Sequence, residues 1–159
     1  MARFMRKGVT KAWFVSTIPT LSAPSAATVN AGTRLDTSLA DISGFEFSNN
    51  PIDVPDMGAA FVSKIAGEDA VSDSSMTFYE DDTTTTLQTT LAKGTTGFIC
   101  LFYKGTTGAL GVAASTNVCE VWPITVGSTA RKYTTANEAA QFMVTFVNTA
   151  GPTAGTLAV

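Results

Sequence analysis

The chain has 159 residues, 45% of them hydrophobic and only 14% charged, with a net charge of −3 and no histidine. A single domain of this length buries roughly 68–70% of the surface that its unfolded chain exposes. The missing histidine excludes Ser-His and Cys-His nucleophilic pairs and removes the commonest metal ligand, and the acidic balance excludes a sequence-independent grip on nucleic acid, which needs an excess of Lys and Arg.

The first eleven residues form a basic arm, with Arg3, Arg6, Lys7 and Lys11. The apolar patch AWFV that follows is shorter than the roughly seven residues a signal-peptide core requires, and no run approaches the ~20 apolar residues of a membrane span. KAWFVSTI, residues 11–18, mixes aromatic and β-branched residues and stops at Pro19, which predicts a strand. Residues 20–33, rich in Ser, Ala, Pro and Gly, read as a connector. In SGFEFSN, Phe45 and Phe47 alternate with Glu46 and Ser48, the period of a half-buried strand.

Residues 49–70 contain two prolines and two glycines, yet also Ile52, Val54, Met57, Phe61, Val62 and Ile65. So much apolar surface in a long loop points either to a partner surface or to a hairpin folded back on its own core. SSMTFYE, residues 74–80, alternates again and leads into YEDDTTTTLQTTLAKG. Four threonines oppose a helix there. Asp81 and Asp82 at the start, Lys93 and Gly94 at the end, and Leu87 and Leu91 four apart favour one over about 83–93. Burying both leucines contributes on the order of 3–6 kcal/mol, enough to outweigh the threonines if a sheet lies beneath.

KGTTG occurs at 93–97 and again at 104–108, bracketing FICLFY, and reads as turn chemistry at both ends of a buried strand. NVCEVWPITV, 117–126, is a further strand in which Pro123 implies an edge or a bulge. Within 138–149, Ala140, Phe142, Val144 and Phe146 face one way, and Gln141, Met143, Thr145 and Val147 the other. Residues 150–159 read as a flexible tail. Cys100 and Cys119, both in apolar strands, are expected to be reduced and buried. The whole is mainly β, a β-sandwich or partly open barrel with one short α-helix, in a single domain over 1–159.

Glu80, Asp81 and Asp82 lack the spacing of a calcium loop, and Glu68, Asp69 and Glu120 are carboxylates without a sugar-binding platform. Trp13 and Trp122 lie in strand runs and read as core. No catalytic residue, metal site or cofactor is expected. The charge asymmetry reads either as a solvated arm and a solvated acidic face, or as the arm of one copy meeting the acids of another.

The stretches FMRKGVTKAWFV, ISGFEFSNNPIDVPDM, SKIAGEDAVSDSSMTFYEDDTTTTLQTTLAKGTTG, VWPI and ARKYTTANEAAQFMVTF resemble the major tail tube proteins of long-tailed bacteriophages, in particular those infecting actinobacteria. The likeness covers most of the chain. It implies a structural virion protein, not an enzyme, whose hexameric rings stack into a tube that conducts DNA into the host. Implied partners are further copies of the chain, a tape measure protein, tail-end proteins and phage DNA passing without sequence-specific contact. The implied location is the virion tail, assembled in the bacterial cytoplasm. The resemblance assigns contacts between subunits and rings to the basic arm, residues 1–11, and the long loop, residues 49–70. Its contact residues are then Arg3, Phe4, Met5, Arg6, Lys7 and Lys11, followed by Pro51, Ile52, Val54, Met57, Phe61, Val62, Lys64 and Ile65. The acids Glu68, Asp69, Asp81 and Asp82 form a candidate partner patch, and the helix is expected on the outside of the sandwich. Some relatives carry an extra C-terminal immunoglobulin-like domain, which is not expected here. The alternative reading is a β-sandwich binding module, such as a head-decoration or surface-recognition protein.

Overall fold

The computed structural model describes Arg3, residues 5–58 and residues 60–159. Among these the elements run β1 (Lys11–Val15), α1 (Ala26–Asn30), β2 (Thr33–Arg34), β3 (Leu39–Ser43), β4 (Phe47–Asn49), β5 (Ile52–Val54), β6 (Ser63–Ile65), β7 (Asp69–Val71) and β8 (Ser74–Tyr79). They continue with α2 (Thr86–Thr90), β9 (Thr96–Phe102), β10 (Val118–Lys132), β11 (Gln141–Asn148) and β12 (Thr153–Thr156). The main sheet has the order β2-β1-β9-β10-β11-β8-β3, with β12 also on β10, and all its ladders are antiparallel.

This sheet curls over itself, so that its two halves become the layers of a sandwich. Phe45, just beyond β3 at one edge, places its ring 5.5 Å from that of Trp122 in the middle of the strand order. The first half is buried on both faces. Ala12, Phe14, Ile99, Leu101, Trp122 and Ile124 point into the sandwich, while Trp13, Val15, Cys100, Phe102, Cys119 and Val121 point into a second core on the outer side. Burial on both faces is why KAWFV and FICLF read as continuous apolar runs. The other half, β11-β8-β3, buries only its inner face, with Phe142, Val144 and Phe146 inside and Met143 and Val147 exposed. The alternation expected from the sequence is present there.

Strand β10 serves both halves. Residues 120–125 pair with β9, and the register to β11 slips at Gly127 between Val126 and Ser128. Pro123 therefore lies in a central strand. It stands opposite Phe98, at the point where the second edge of β10 passes from β12 to β11. Its carbonyl accepts from the Thr149 amide on that side, so its missing N–H falls at the gap between two ladders and removes no paired donor.

Several expectations need correction. Phe45 and Phe47 do not share a strand. The chain breaks at Gly44 and Phe45, both with positive φ, and Phe45 is packed while Phe47 is exposed. The 20–33 connector contains α1, begun by the Ser25 hydroxyl accepting from the Thr28 amide and held down by fully buried Val29. It is α1 that covers the outer core.

The helix expected over 83–93 is regular only over Thr86–Thr90. Asp81 does not cap it. Its carboxylate accepts from the amides of Thr83 and Thr84 in a turn before the helix, leaving the threonines with no end that favours earlier helix. Leu91, just past the end of α2, is fully buried within the sandwich, while no residue of α2 itself is buried, so the helix lies on the outside as expected and is anchored by that leucine. Gly94 and Gly105 both have positive φ, as the two KGTTG turns require. The tail is not free. Its β12 pairs with β10, Leu157 is buried in the outer core, and the Ala158 amide donates to the Pro24 carbonyl.

Leu91→Ala should cost about 2–5 kcal/mol, the range for truncating a buried leucine, in denaturant unfolding of the purified chain; Leu87→Ala, at the half-buried position, should cost less. Both cysteines are free and buried. Burial, reinforced by Cys119, pushes the Cys100 thiol up to about 12, and burial with Glu120 pushes Cys119 up to about 11. In the unfolded chain both ionise near 9.0, so their contribution is intact below pH 9 and is lost as pH rises from there through about 11 to 12. A thiol-reactive dye at pH 8 should label neither cysteine until denaturant unfolds the chain.

Candidate assembly surfaces

Residues 47–71 form a hairpin arm on two short ladders. In the first, Phe47 stands opposite Val71 and Asn49 opposite Asp69; in the second, Ile52 stands opposite Ile65, Asp53 opposite Lys64 and Val54 opposite Ser63. The long loop of the sequence reading is thus strand-paired, and it is not folded back on its core. Met57 and Phe61 at the tip are 108% and 80% exposed, and Phe47, Ile52, Val54, Val62 and Ile65 are exposed as well. An isolated two-stranded hairpin is marginal in water, and a contiguous apolar surface of this kind marks a partner site.

The root is built to hold the arm in one direction. Gly44 turns the chain out of β3 at a φ of 76°, where a Cβ would collide with the Asp73 carbonyl oxygen. Phe45 follows at a φ of 57°, rare for a bulky residue, and its ring is held by Trp122 and Phe146. The buried Ser74 hydroxyl accepts from the Phe45 amide at 2.9 Å and from the Asn148 side chain at 2.7 Å, and donates to the Ser72 carbonyl. Between the two ladders, the Asn49 amide takes the place of a backbone pair, donating to the Gly67 carbonyl and accepting from the Gly67 amide. Any Cβ on Gly67 would run into the Asn50 carbonyl oxygen. These root residues were missed in the sequence. Only Gly44 and Gly67 carried a signal, as isolated glycines in otherwise extended stretches.

The basic arm divides. Lys11 starts β1 and pairs with Asp36 at 3.3 Å, while Arg34 binds the same carboxylate at 2.8 Å and lies 5.3 Å over the Trp13 ring. Burial pushes the Asp36 carboxyl up, but hydrogen bonds and charge from Arg34 and Lys11 prevail and hold it below its usual range. Arg6 and Lys7 line a cleft of about 570 Å³ together with Asp36, Leu39, Ile42, Phe45 and Glu120, among others. Arg3 and Met5 are exposed. Phe4 lies outside the described residues.

Pro51, Ile52, Val54, Met57, Phe61, Val62, Lys64 and Ile65 are all exposed on the hairpin arm. The four acids do not form one patch. Glu68 and Asp69 belong to the arm, which joins the start of β8, whereas Asp81 and Asp82 follow its end, about 17 Å further along at ~3.3 Å per residue.

Two strand edges of the β10-β11-β8-β3 half also lack a neighbour among the described residues. They are the outer side of β3 and the Ser128–Lys132 end of β10, which pairs only with β11. Protruding apolar arm, open edges and low overall charge together mark a β-protein with surfaces left open to partners. The chain belongs to the phage tail tube protein family, whose model matches residues 1–159, and so to the structural components of virion tails.

Solved structures agree in fold. The sheath/tube terminator of the PVC extracellular contractile injection system, in its extended state, is 11% identical over 96% of this chain and 97% of that one, with a TM-score of 0.67. The tube-terminating cap of the anti-feeding prophage is 13% identical over 98% and 93%, with a TM-score of 0.63. A chain of the six-fold symmetrised baseplate of the anti-feeding prophage is 7% identical over 97% of both, with a TM-score of 0.59. No curated protein matches the chain.

Asp36→Asn should destabilise the fold by about 1.5–3 kcal/mol at pH 7, the range for hydrogen bonds to charged groups. Because the carboxyl is held low in the folded state, its contribution is present above the unfolded value of 3.8 and is lost as pH falls. The difference between wild type and variant, followed by denaturant unfolding, should therefore shrink as pH falls through and below that value.

Proposed function

We propose that six copies of this chain close into a ring and that rings stack into the tail tube, a conduit through which phage DNA reaches the host. The observation that carries this reading is the rigidly rooted arm with Met57 and Phe61 bare at its tip, since an apolar projection of this size has no use on a solitary protein. The six-fold symmetrised baseplate of the anti-feeding prophage, where a chain of this fold occurs, supports the ring number.

Ring closure follows from the open edges. The outer side of β3 in one copy pairs with Ser128–Lys132 of the next, a heterologous contact that repeats until the ring shuts. The four-stranded halves then form one inner barrel with no free edge. The face of that half away from the core carries Ser75, Thr77, Gln141 and Thr145 with Met143 and Val147, and its charges are Asp41 and Lys132 on the two edge strands. A wall mostly of hydroxyl and amide groups, whose cation Lys132 is paired with Glu138 at 3.0 Å, gives DNA little to neutralise, so it slides instead of binding. The family implies a tape measure protein as the earlier occupant of this lumen, and tail-end proteins at its termini.

The role is structural and not enzymatic. The exposed part of the basic arm, with the hairpin arm, bridges subunits and rings, while Lys11 stays within its own subunit. Deleting residues 2–10 should leave a folded monomer that forms no tubes under negative-stain microscopy; tubes of normal length from that variant would overturn the arm's role. A wild-type chain that stays monomeric at every concentration would point to a binding module instead.

A further inference from the structure

The cleft beside the N-terminal turn is the mouth of the sandwich. Ala12, Leu101 and Glu120 from β1, β9 and β10 line it, with Leu39 and Ile42 from β3, and the segment carrying Arg6 and Lys7 borders it. Its volume of about 570 Å³ falls within the roughly 300–1,000 Å³ that encloses a compact group of drug size. Ile42 in its lining is 40% exposed, an apolar residue left open at the end of a core. Asp36 is neutralised by Lys11 and Arg34, whereas Arg6 and Lys7 form no ion pair among the described residues. The mouth thus offers an apolar floor, two free cations, and the carboxylates of Asp41 and Glu120.

We infer that this cleft is the seat for the arm tip of a second copy of the chain, with Met57 and Phe61 against Leu39 and Ile42, and Asp56 toward Arg6 and Lys7. This rests on the tube reading and names the surface that the arm engages. Residues 46–71 contain five acids, Glu46, Asp53, Asp56, Glu68 and Asp69, against the one base Lys64. Asp53 is matched by Lys64 at 3.0 Å, so the arm presents net negative charge and a bare apolar tip to a mouth bordered by Arg6 and Lys7.

The arm tip does not sit in the cleft of its own subunit: Met57 and Phe61 are exposed and absent from its lining. Gly44 and Phe45 line that cleft and also begin the arm. From Phe47 to Val54 the extended chain spans up to about 23 Å at ~3.3 Å per residue. The Ser74 anchor and the Phe45 ring fix the direction of departure, so the occupant comes from another molecule. Arm and cleft are different surfaces, so the contact is heterologous and each copy both gives and receives one.

The test mixes two single variants, F61C and I42C, in assembled tubes and oxidises them; Cys100 and Cys119 are buried and silent. Disulfide-linked dimers on a non-reducing gel, at several times the yield of F61C mixed with T135C, are expected. Equal yields in the two mixtures, or tubes visible by microscopy with no F61C–I42C dimer, would overturn the seat and leave the tube reading standing. Absence of rings and tubes from the wild-type chain would overturn both. Should the cysteine variants fail to assemble, a benzoylphenylalanine photocrosslinker replacing Phe61 serves, with the linked peptide mapped by mass spectrometry. Linkage to residues 6–12 or 36–45 supports the seat, and linkage confined to other segments rules it out.

Discussion

The register slip at Gly127 in β10 is the constraint on which the architecture depends. Before it, even-numbered residues such as Trp122, Ile124 and Val126 face the sandwich core; after it the parity reverses, so that Thr129 stands opposite inward-facing Val144. A bulge of this kind bends its strand and increases the local twist. One strand can therefore pass from a layer buried on both sides to a layer buried on one. The slip lies between the two layers whose facing is marked by the contact of the Phe45 and Trp122 rings. The Ser128 and Thr145 hydroxyls, 2.8 Å apart, close the polar side of the irregularity.

What the bend creates is asymmetry between the two layers. The outer layer, sealed by α1 and by Leu157, supplies stability. The inner layer leaves a polar face and two unpaired edges, which in a soluble monomer would be a hazard and in the proposed ring would be the joints. Low overall charge fits the proposed assembly, because surface covered by identical copies would not need the usual density of Lys and Glu. The arm is the third element of this division. Its root is held by Ser74, Asn148 and the Phe45 ring, while its tip is bare. A membrane role has no support from the helices, since among the described residues none is long and apolar enough to cross.

Most strands were legible because two periodicities were written plainly: continuous apolar runs where both faces are buried, and alternation in 141–147 where one is. The two KGTTG turns were legible because positive φ at Gly94 and Gly105 is a local demand that glycine meets alone. Helix α2 was only partly legible. Its leucine spacing was right, but the Asp81 carboxylate went to a turn two residues on. Helix α1 and the docked tail escaped notice, since AATVN and TAGT are short, small and weakly patterned, and both are held by contacts between chain ends far apart, such as Ser25 with Ala158. The candidate contact residues were legible as apolar side chains with no local partner. Their separation into an arm, a cleft border and an internal ion pair was not.

By itself, the sequence determined the β class, the single buried core material, the absence of histidine chemistry and the apolar excess at 52–65, because composition and residue spacing act locally. Which face each strand buries, where the sheet folds over, whether Lys11 is a contact or a clasp, and where the arm points were decided only in three dimensions. Each of those depends on a register, and a register is chosen by the sum of distant side-chain contacts, which no short stretch of chain encodes.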